Sequence, residues 1–261
     1  MNQPLAYVHP QAKLAKNVVI EPFVNIEKNV EIGDGTWIGS NVTIMEGARI
    51  GKNCKIFPGS VIAAIPQDLK YAGEDTLVRI GDNNTIREFV TINRGTKANW
   101  ETVIGNNNLL MAYVHIAHDC IIGNNCVLAN ACTLAGHVTI DDWAIVGGLS
   151  AVHQFVNIGQ HTMISGGSLV RKDIPPYTKA AREPLSFVGI NSIGLRRRGF
   201  TPEKINEIQE IYRYIYLKGL NVTQALELIE ATMPATSERD EILSFTAKSS
   251  RGIMKGYSRV L

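Results

Sequence analysis

A chain of 261 residues with 45% hydrophobic and 19% charged side chains has the composition of a folded globular protein, which excludes a disordered or low-complexity chain. No run of about 18 apolar residues occurs and the opening MNQPLAYVHP lacks the pattern of a secretory leader, so no membrane span and a cytoplasmic location are expected. The net charge of +2 is unevenly placed: residues 171–200 hold seven Lys or Arg against Asp173 and Glu183, a local +5 that leaves −3 elsewhere. That segment is suited to an anionic partner.

From Val8 to Val170 the chain repeats every six residues, and 25 of the 28 slots hold Ile, Leu or Val, the exceptions being Asp68, Glu74 and Ala98. Three residues after the aliphatic stands a frequent Asn or Gly, such as Asn29, Gly35, Asn41, Asn53 and Asn125, residue types that tolerate the positive φ of a tight corner. A period of six with an internal alternation of two belongs to strands and corners, and a helix at 3.6 residues per turn cannot keep it. It predicts a parallel β-helix of hexapeptide repeats with coils of about 18 residues, roughly nine coils in all.

Two departures keep the phase of the repeat, and both read as loops thrown out from the prism, at about 63–79 and 93–103. Cys54, Cys120, Cys126 and Cys132 all occupy the same small inward slot, which makes them core filler in a reducing compartment. The periodicity stops after Val170 and is broken by Ile174-Pro175-Pro176-Tyr177. Beyond it, Thr201-Pro202 predicts a helix start, with Ile205, Ile208, Ile211, Tyr212, Ile215 and Tyr216 on one face up to Gly219. Further helices are expected from about Val222 to Ala231 and Glu238 to Ser249. The expected organisation is a mainly β chain, with the β-helix over 1–175 and a C-terminal helical region over 176–261 capping it.

Stacking every eighteenth residue aligns His118, Gly136 and Gln154 in one column, Asp119, His137 and Phe155 in the next, and sets His153 one column to the other side. Three histidines distant in sequence thereby converge to within about 10 Å. A histidine is a general base near neutral pH, and a glycine N–H can approach a developing oxyanion. With no Ser or Cys in a matching outward slot, direct transfer is expected in place of a covalent acyl-enzyme. A zinc site using His115 and His118 is the competing reading; His115 has only Thr133 and Ala151 in its own column, so no metal is expected.

The segments HIAHDC (115–120), LANACTLAGHVTIDD (128–142), GGLSAVHQFV (147–156), PQDLKYAGEDT (66–76) and GLRRRGF (194–200) together resemble the bacterial acyl-carrier-protein:UDP-N-acetylglucosamine O-acyltransferases, which open lipid A synthesis. The resemblance runs over essentially the whole chain. It implies a homotrimer of left-handed β-helices with sites in the clefts between subunits. It also implies acyl carrier protein and UDP-N-acetylglucosamine as partners, no nucleic acid and no cofactor. Carried over, His118 is the general base, Asp119 its support and Gly136 the oxyanion donor. Gln67, Asp68 and Lys70 reach the sugar and acyl group from a loop, across the subunit boundary, and His137, His153 and Gln154 touch the sugar nucleotide. Asn191, Arg197 and Arg198 match nucleotide and phosphate positions, while Arg171, Lys172 and Arg196 are candidates for meeting the acidic carrier protein. Met163 and Gly166 match the end of the acyl groove, where Gly166 points to a longer chain. The chain departs from several family members at Ile193, where they carry a Glu that contacts the nucleotide.

Two other readings compete. One is the N-acyltransferase of the same pathway, which carries an extra amino-terminal domain, whereas here the repeat begins at Val8. The other is a scaffold that binds nucleotide sugar or carrier protein without turnover.

Overall fold

The computed structural model describes residues 4–256. Strands of two to four residues, from Tyr7–Val8 to Leu169–Val170, wind into a left-handed parallel β-helix. Its three flat faces are sheets of nine, eight and eleven strands, parallel throughout the coils, the last also including the chain's closing strands. The aliphatic of each repeat points inward and is buried in one continuous core, with Ile26, Ile44, Ile62, Ile92, Ile116 and Leu134 on the first face. Ile122 and Ile140 line the second face, and Leu128 and Val146 the third. Ladder pairs such as His115 with Thr133 and Ile121 with Thr139 show the eighteen-residue coil directly. The eight ladder steps of the nine-stranded face, at about 4.8 Å each, give a prism roughly 40 Å long.

Three corners join the faces, and most of their turns are made by a residue of positive φ three places after the aliphatic. Asn29, Asn41, Asn53 and Gly35 conform to expectation, but the same conformation is held by Phe89, Tyr113, Asp119, His137, Trp143, Phe155 and His161. Repetition of the ladder on both sides of the corner imposes the backbone, whatever side chain stands there. Asn17 and Gly95 do not adopt it. All four cysteines are fully buried in the predicted inward slot.

The two excursions are shorter than the repeat suggested, because ladder pairing continues into their flanks. Strands Val61–Ala64 and Leu77–Ile80 bracket a loop of 65–76, and Thr91–Asn93 and Glu101–Ile104 bracket one of 94–100. After Leu169–Val170, Ile174 completes one more coil by bridging to Ile158. An antiparallel hairpin, Thr178–Ala181 with Ser186–Ile190, then extends the third face.

Four helices follow: α1 (Ser192–Arg197), α2 (Pro202–Leu217), α3 (Val222–Thr232) and α4 (Ser237–Lys248). Thr201 caps α2 by accepting from Lys204 N, and Gly219 follows its end in the left-handed region. Ile205, Ile208, Ile211, Tyr212 and Ile215 form the buried face of α2 and, with Tyr177, Leu195, Ala225, Ile229 and Ile242, a second core beside the end of the prism. The chain finally returns to the prism, where Met254 N donates to Asp173 O at 2.8 Å.

Candidate active site

His118 stands on the corner between the first and second faces, and its Nδ1 lies 2.8 Å from Asp119 Oδ2. Asp119 is 1% exposed, yet its carboxylate is saturated with donors: Thr96 N at 2.9 Å, Thr96 Oγ1 at 2.7 Å and Asn99 N at 3.2 Å. Burial by itself raises this carboxyl; the hydrogen bonds from Thr96 and His118 overcome it and hold the pKa below the ordinary value, so the group is ionised at neutral pH. An ionised Asp119 accepts the Nδ1 proton of His118, which leaves Nε2 as the basic nitrogen facing outward.

Gly136 lies one coil on, directly against that imidazole. A Cβ there would come within 2.7 Å of His118 Nε2 and 2.6 Å of Cε1, so only glycine fits beside this ring. The corner N–H of residue 136 has no hydrogen-bond partner among the described residues. At the next corner the equivalent groups are capped: Asp82 N by Asn106 Oδ1 at 2.7 Å, Asn106 N by Asn124 Oδ1 at 2.8 Å and Asn124 N by Asp142 Oδ1 at 2.7 Å. An uncapped N–H beside a base is suited to an oxyanion. His137 sits edge-on to His118, with centroids 5.1 Å apart, and stacks on Phe155 at 4.4 Å. Burial pushes the His137 imidazole down, against the pull of Asp119.

Loop 65–76 closes over this corner from the same chain, with Asp68 Oδ2 4.0 Å from His118 Nε2. Asp68 Oδ1 accepts from Lys70 N at 3.0 Å, which aims the other oxygen at the imidazole. Gln67 and Lys70 point to solvent. Asp68 therefore meets His118 within one chain. Loop 94–100 braces the first loop. Arg94 Nη2 donates to Tyr71 Oη at 2.9 Å and Arg94 Nη1 to Glu46 O at 3.1 Å, while Asn93 Nδ2 donates to Ile65 O at 2.9 Å.

The other candidates lie elsewhere on the same chain. His153 and Gln154 are exposed one coil beyond Gly136, with His153 Nδ1 3.1 Å from Gln154 O. Asn191 and Arg198 sit at the corner between the second and third faces. Asn191 caps α1 and donates to His161 O at 2.9 Å, and the Arg198 guanidinium lies over Trp143 at 5.3 Å. Arg197 is exposed beside them, as is Ile193, at 61%. Met163 projects outward from the third face, and Gly166 lies at the third corner, against Gly148. One chain therefore brings together His118, Asp119, Gly136, His137 and Asp68, with His153 and Gln154 one coil further along the same corner, and places Asn191, Arg197 and Arg198 at the second corner, Met163 on the third face and Gly166 at the third corner.

Residues 173–254 match the family profile described as UDP N-acetylglucosamine O-acyltransferase, domain 2, and residues 29–64 and 101–136 match the bacterial transferase hexapeptide repeat. The acyl-[acyl-carrier-protein]–UDP-N-acetylglucosamine O-acyltransferase of Burkholderia lata is 45% identical over 195 residues, which cover 73% of this chain and 74% of that protein. This chain belongs to the UDP-N-acetylglucosamine O-acyltransferase family. The crystal structure of LpxA, a UDP-N-acetylglucosamine acyltransferase from Bacteroides fragilis, is 52% identical and matches with a TM-score of 0.96, covering 98% of this chain and all (100%) of that one. The Arabidopsis UDP-N-acetylglucosamine acyltransferase, at 33% identity, still reaches a TM-score of 0.84 over 98% of this chain and 100% of its own.

Within this O-acyltransferase fold, sequence reasoning missed the groups that hold Asp119. Thr96 and Asn99 lie on the second loop, and Thr102 Oγ1 accepts from Asp119 N at 2.8 Å. Their partner is some twenty residues away across a loop of irregular length, so no column count reaches them. It also missed Trp143 and His161, which the eighteen-residue rule does align. His115 stays out of the site, its Nδ1 2.7 Å from Thr91 Oγ1. Ligand atoms of His118, Asp119 and His137 lie within 4.8 Å of one another, close enough to hold a metal ion. His118 is tied to Asp119 by its hydrogen bond, and His137 stacks on Phe155. No helix among the described residues is long and apolar enough to cross a membrane.

Proposed function

We propose that this protein is an acyltransferase that moves a (R)-3-hydroxyacyl chain from acyl carrier protein to the 3-hydroxyl of UDP-N-acetylglucosamine, the opening step of lipid A synthesis. The observation that carries the mechanism is the His118 imidazole, tied at Nδ1 to a buried carboxylate and flanked at Nε2 by the uncapped N–H of Gly136. Nε2 removes the proton of the sugar hydroxyl as its oxygen attacks the thioester carbonyl. The tetrahedral oxyanion is met by the Gly136 N–H. Collapse breaks the C–S bond, and the proton passes from Nε2 to the departing thiolate, giving the 3-O-acyl sugar nucleotide and the free carrier thiol.

The cysteines support direct transfer. Burial pushes the thiols of Cys120, Cys126 and Cys132 up to about 12, and Cys120 Sγ donates inward to Ala135 O at 3.2 Å. None is a nucleophile at neutral pH.

The working assembly in this reading is a homotrimer. His118 lies at one end of the second face and Asn191 with Arg198 at the other, so a substrate that touches both sets is best served where one copy's first corner meets another copy's second. Exposed apolar side chains along the prism and its loops, including Leu69, Phe89, Tyr113 and Leu149, support packing between copies. Gln67, Lys70, His137, His153 and Gln154 are assigned to the sugar nucleotide, with Arg197 at its pyrophosphate. Met163 and Gly166 are assigned to the end of the acyl groove, where Gly166 is read as admitting a longer chain. The same reading divides the chain into a β-helix of 1–175 and a helical region of 176–261, supported by the two separate cores; residues 1–3 and 257–261 of those spans lie outside the described residues.

The deciding experiment incubates the protein with UDP-N-acetylglucosamine and a ladder of 3-hydroxyacyl carrier proteins and reads the product by mass. The expected result is an O-acylated sugar nucleotide with one preferred chain length. No product at any length would overturn the O-acyltransferase reading, and acyl transfer seen only with a 3-O-acylated glucosamine nucleotide that carries a free 2-amine would favour the related N-acyltransferase.

A further inference from the structure

Asn191 and Arg198, the two side chains assigned to the nucleotide, share an anchor that neither composition nor motif singles out. Asn191 Nδ2 donates to the backbone oxygen of His161 at 2.9 Å, and Arg198 Nη1 lies 3.4 Å from Nδ1 of the same residue's ring. The ring is held on both sides. It stacks in parallel with Trp143 (centroids 6.2 Å apart, planes at 4°) and Tyr177 (5.6 Å, 12°), with Phe200 edge-on at 5.2 Å. Tyr177 is itself fixed, its hydroxyl donating to Glu241 of α4 and accepting from Gln160 Nε2 at 3.0 Å. Arg198 has a second tether, Nη2 to Trp143 O at 3.1 Å.

We propose that His161 is a positioning residue for the nucleotide arm of the substrate: its neutral ring accepts a hydrogen bond from Arg198 and thereby sets the guanidinium toward the pyrophosphate. The inference rests on the reading of Asn191 and Arg198 as nucleotide contacts. Arginine only donates, so Nδ1 must be the acceptor and the ring proton sits on Nε2. Burial, reinforced by the Arg198 charge, pushes the imidazole down to about 4, which keeps it an acceptor at neutral pH. A protonated ring would instead repel the guanidinium.

Two variants separate the acceptor from the stack. His161→Phe keeps a flat ring between Trp143 and Tyr177 and removes the acceptor; His161→Gln gives up the ring and keeps an oxygen that Arg198 can reach. Calorimetric titration with UDP alone reads the nucleotide site without turnover, and steady-state kinetics with UDP-N-acetylglucosamine and acyl carrier protein reads both substrates. The expected result for His161→Phe is an increase of about tenfold in the UDP dissociation constant and in KM for the sugar nucleotide, the loss of one charge-assisted hydrogen bond. Its KM for the acyl donor and kcat stay within about twofold of wild type, and His161→Gln binds UDP more tightly than His161→Phe. Unchanged UDP affinity in His161→Phe overturns the proposal, and so does the reverse order of the two variants, which would make the ring a packing element. A wild-type protein that binds UDP but forms no acylated product would defeat the assigned reaction and leave the titration able to decide the role of His161.

Discussion

Gly136 is where the backbone and the chemistry constrain each other most tightly. Because a Cβ would meet the His118 ring at 2.6–2.7 Å, Gly136→Ala must displace the imidazole from its place beside the corner N–H. We expect kcat to fall roughly 10²-fold with little change in melting temperature, since neither core is touched. A variant with full activity would show that the ring and the corner do not act together. Asp119→Asn tests the other side of the imidazole. The amide cannot accept everything that Thr96, Asn99 and His118 donate, so kcat should drop about 10³-fold and the fold should lose about 1–3 kcal/mol at pH 7. The wild-type carboxyl titrates below its ordinary 3.8 in the folded state. Its stabilisation is therefore complete above about pH 4 and is lost as pH falls through the lowered folded value. Denaturation curves of the two proteins should accordingly converge in acid; a gap that does not narrow as pH falls below the ordinary 3.8 would assign the loss to packing. His118, Asp119, Gly136 and His137 were legible in the sequence because fixed eighteen-residue stacking turns spacing into proximity. Thr96 and Asn99 were not, since their loop leaves the ladder and its path depends on what it packs against.

The two excursions behave as one element. Arg94 from the shorter loop donates to Tyr71 in the longer loop and to Glu46 on the prism, so it fixes the height at which Asp68 hangs over His118. Removing that strut with Arg94→Ala should free loop 65–76 while the coils, held by their own ladder hydrogen bonds, stay intact. Amide exchange is expected to accelerate in 65–76 alone, and kcat/KM for the sugar nucleotide to fall about tenfold. Faster exchange spread through the flanking strands would instead make Arg94 part of the fold's stability. At this scale the prism was readable because twenty-five aliphatic slots repeat one instruction. The short helix α1 was not: SIGLRR has no amphipathic period long enough to register, and it is held by the Asn191 cap and by the single buried side chain of Leu195. The hairpin of 178–190 was hidden for a similar reason, since only its pairing to the third face marks its two strands as such.

For the whole molecule, the decisive geometry is that one prism has three corners and the assigned residues occupy all of them. If each site draws His118 from one copy and Arg198 from the next, two inactive variants should rescue one another. A trimer mixed from His118→Ala and Arg198→Ala chains contains, in either 2:1 composition, one interface where the first chain keeps its histidine and the second its arginine. Random assembly in equal amounts makes about three quarters of trimers mixed, each with one working site in three, so the preparation should recover about one quarter of the wild-type rate. Each variant alone, measured at the same total concentration, sets the background. If both residues served a site within a single chain, every chain in the mixture would lack one of them and no rescue could occur. Refolding the variants together and measuring acylated sugar nucleotide therefore distinguishes a site between copies from a site within one, and recovery no greater than background would reject the shared-site reading.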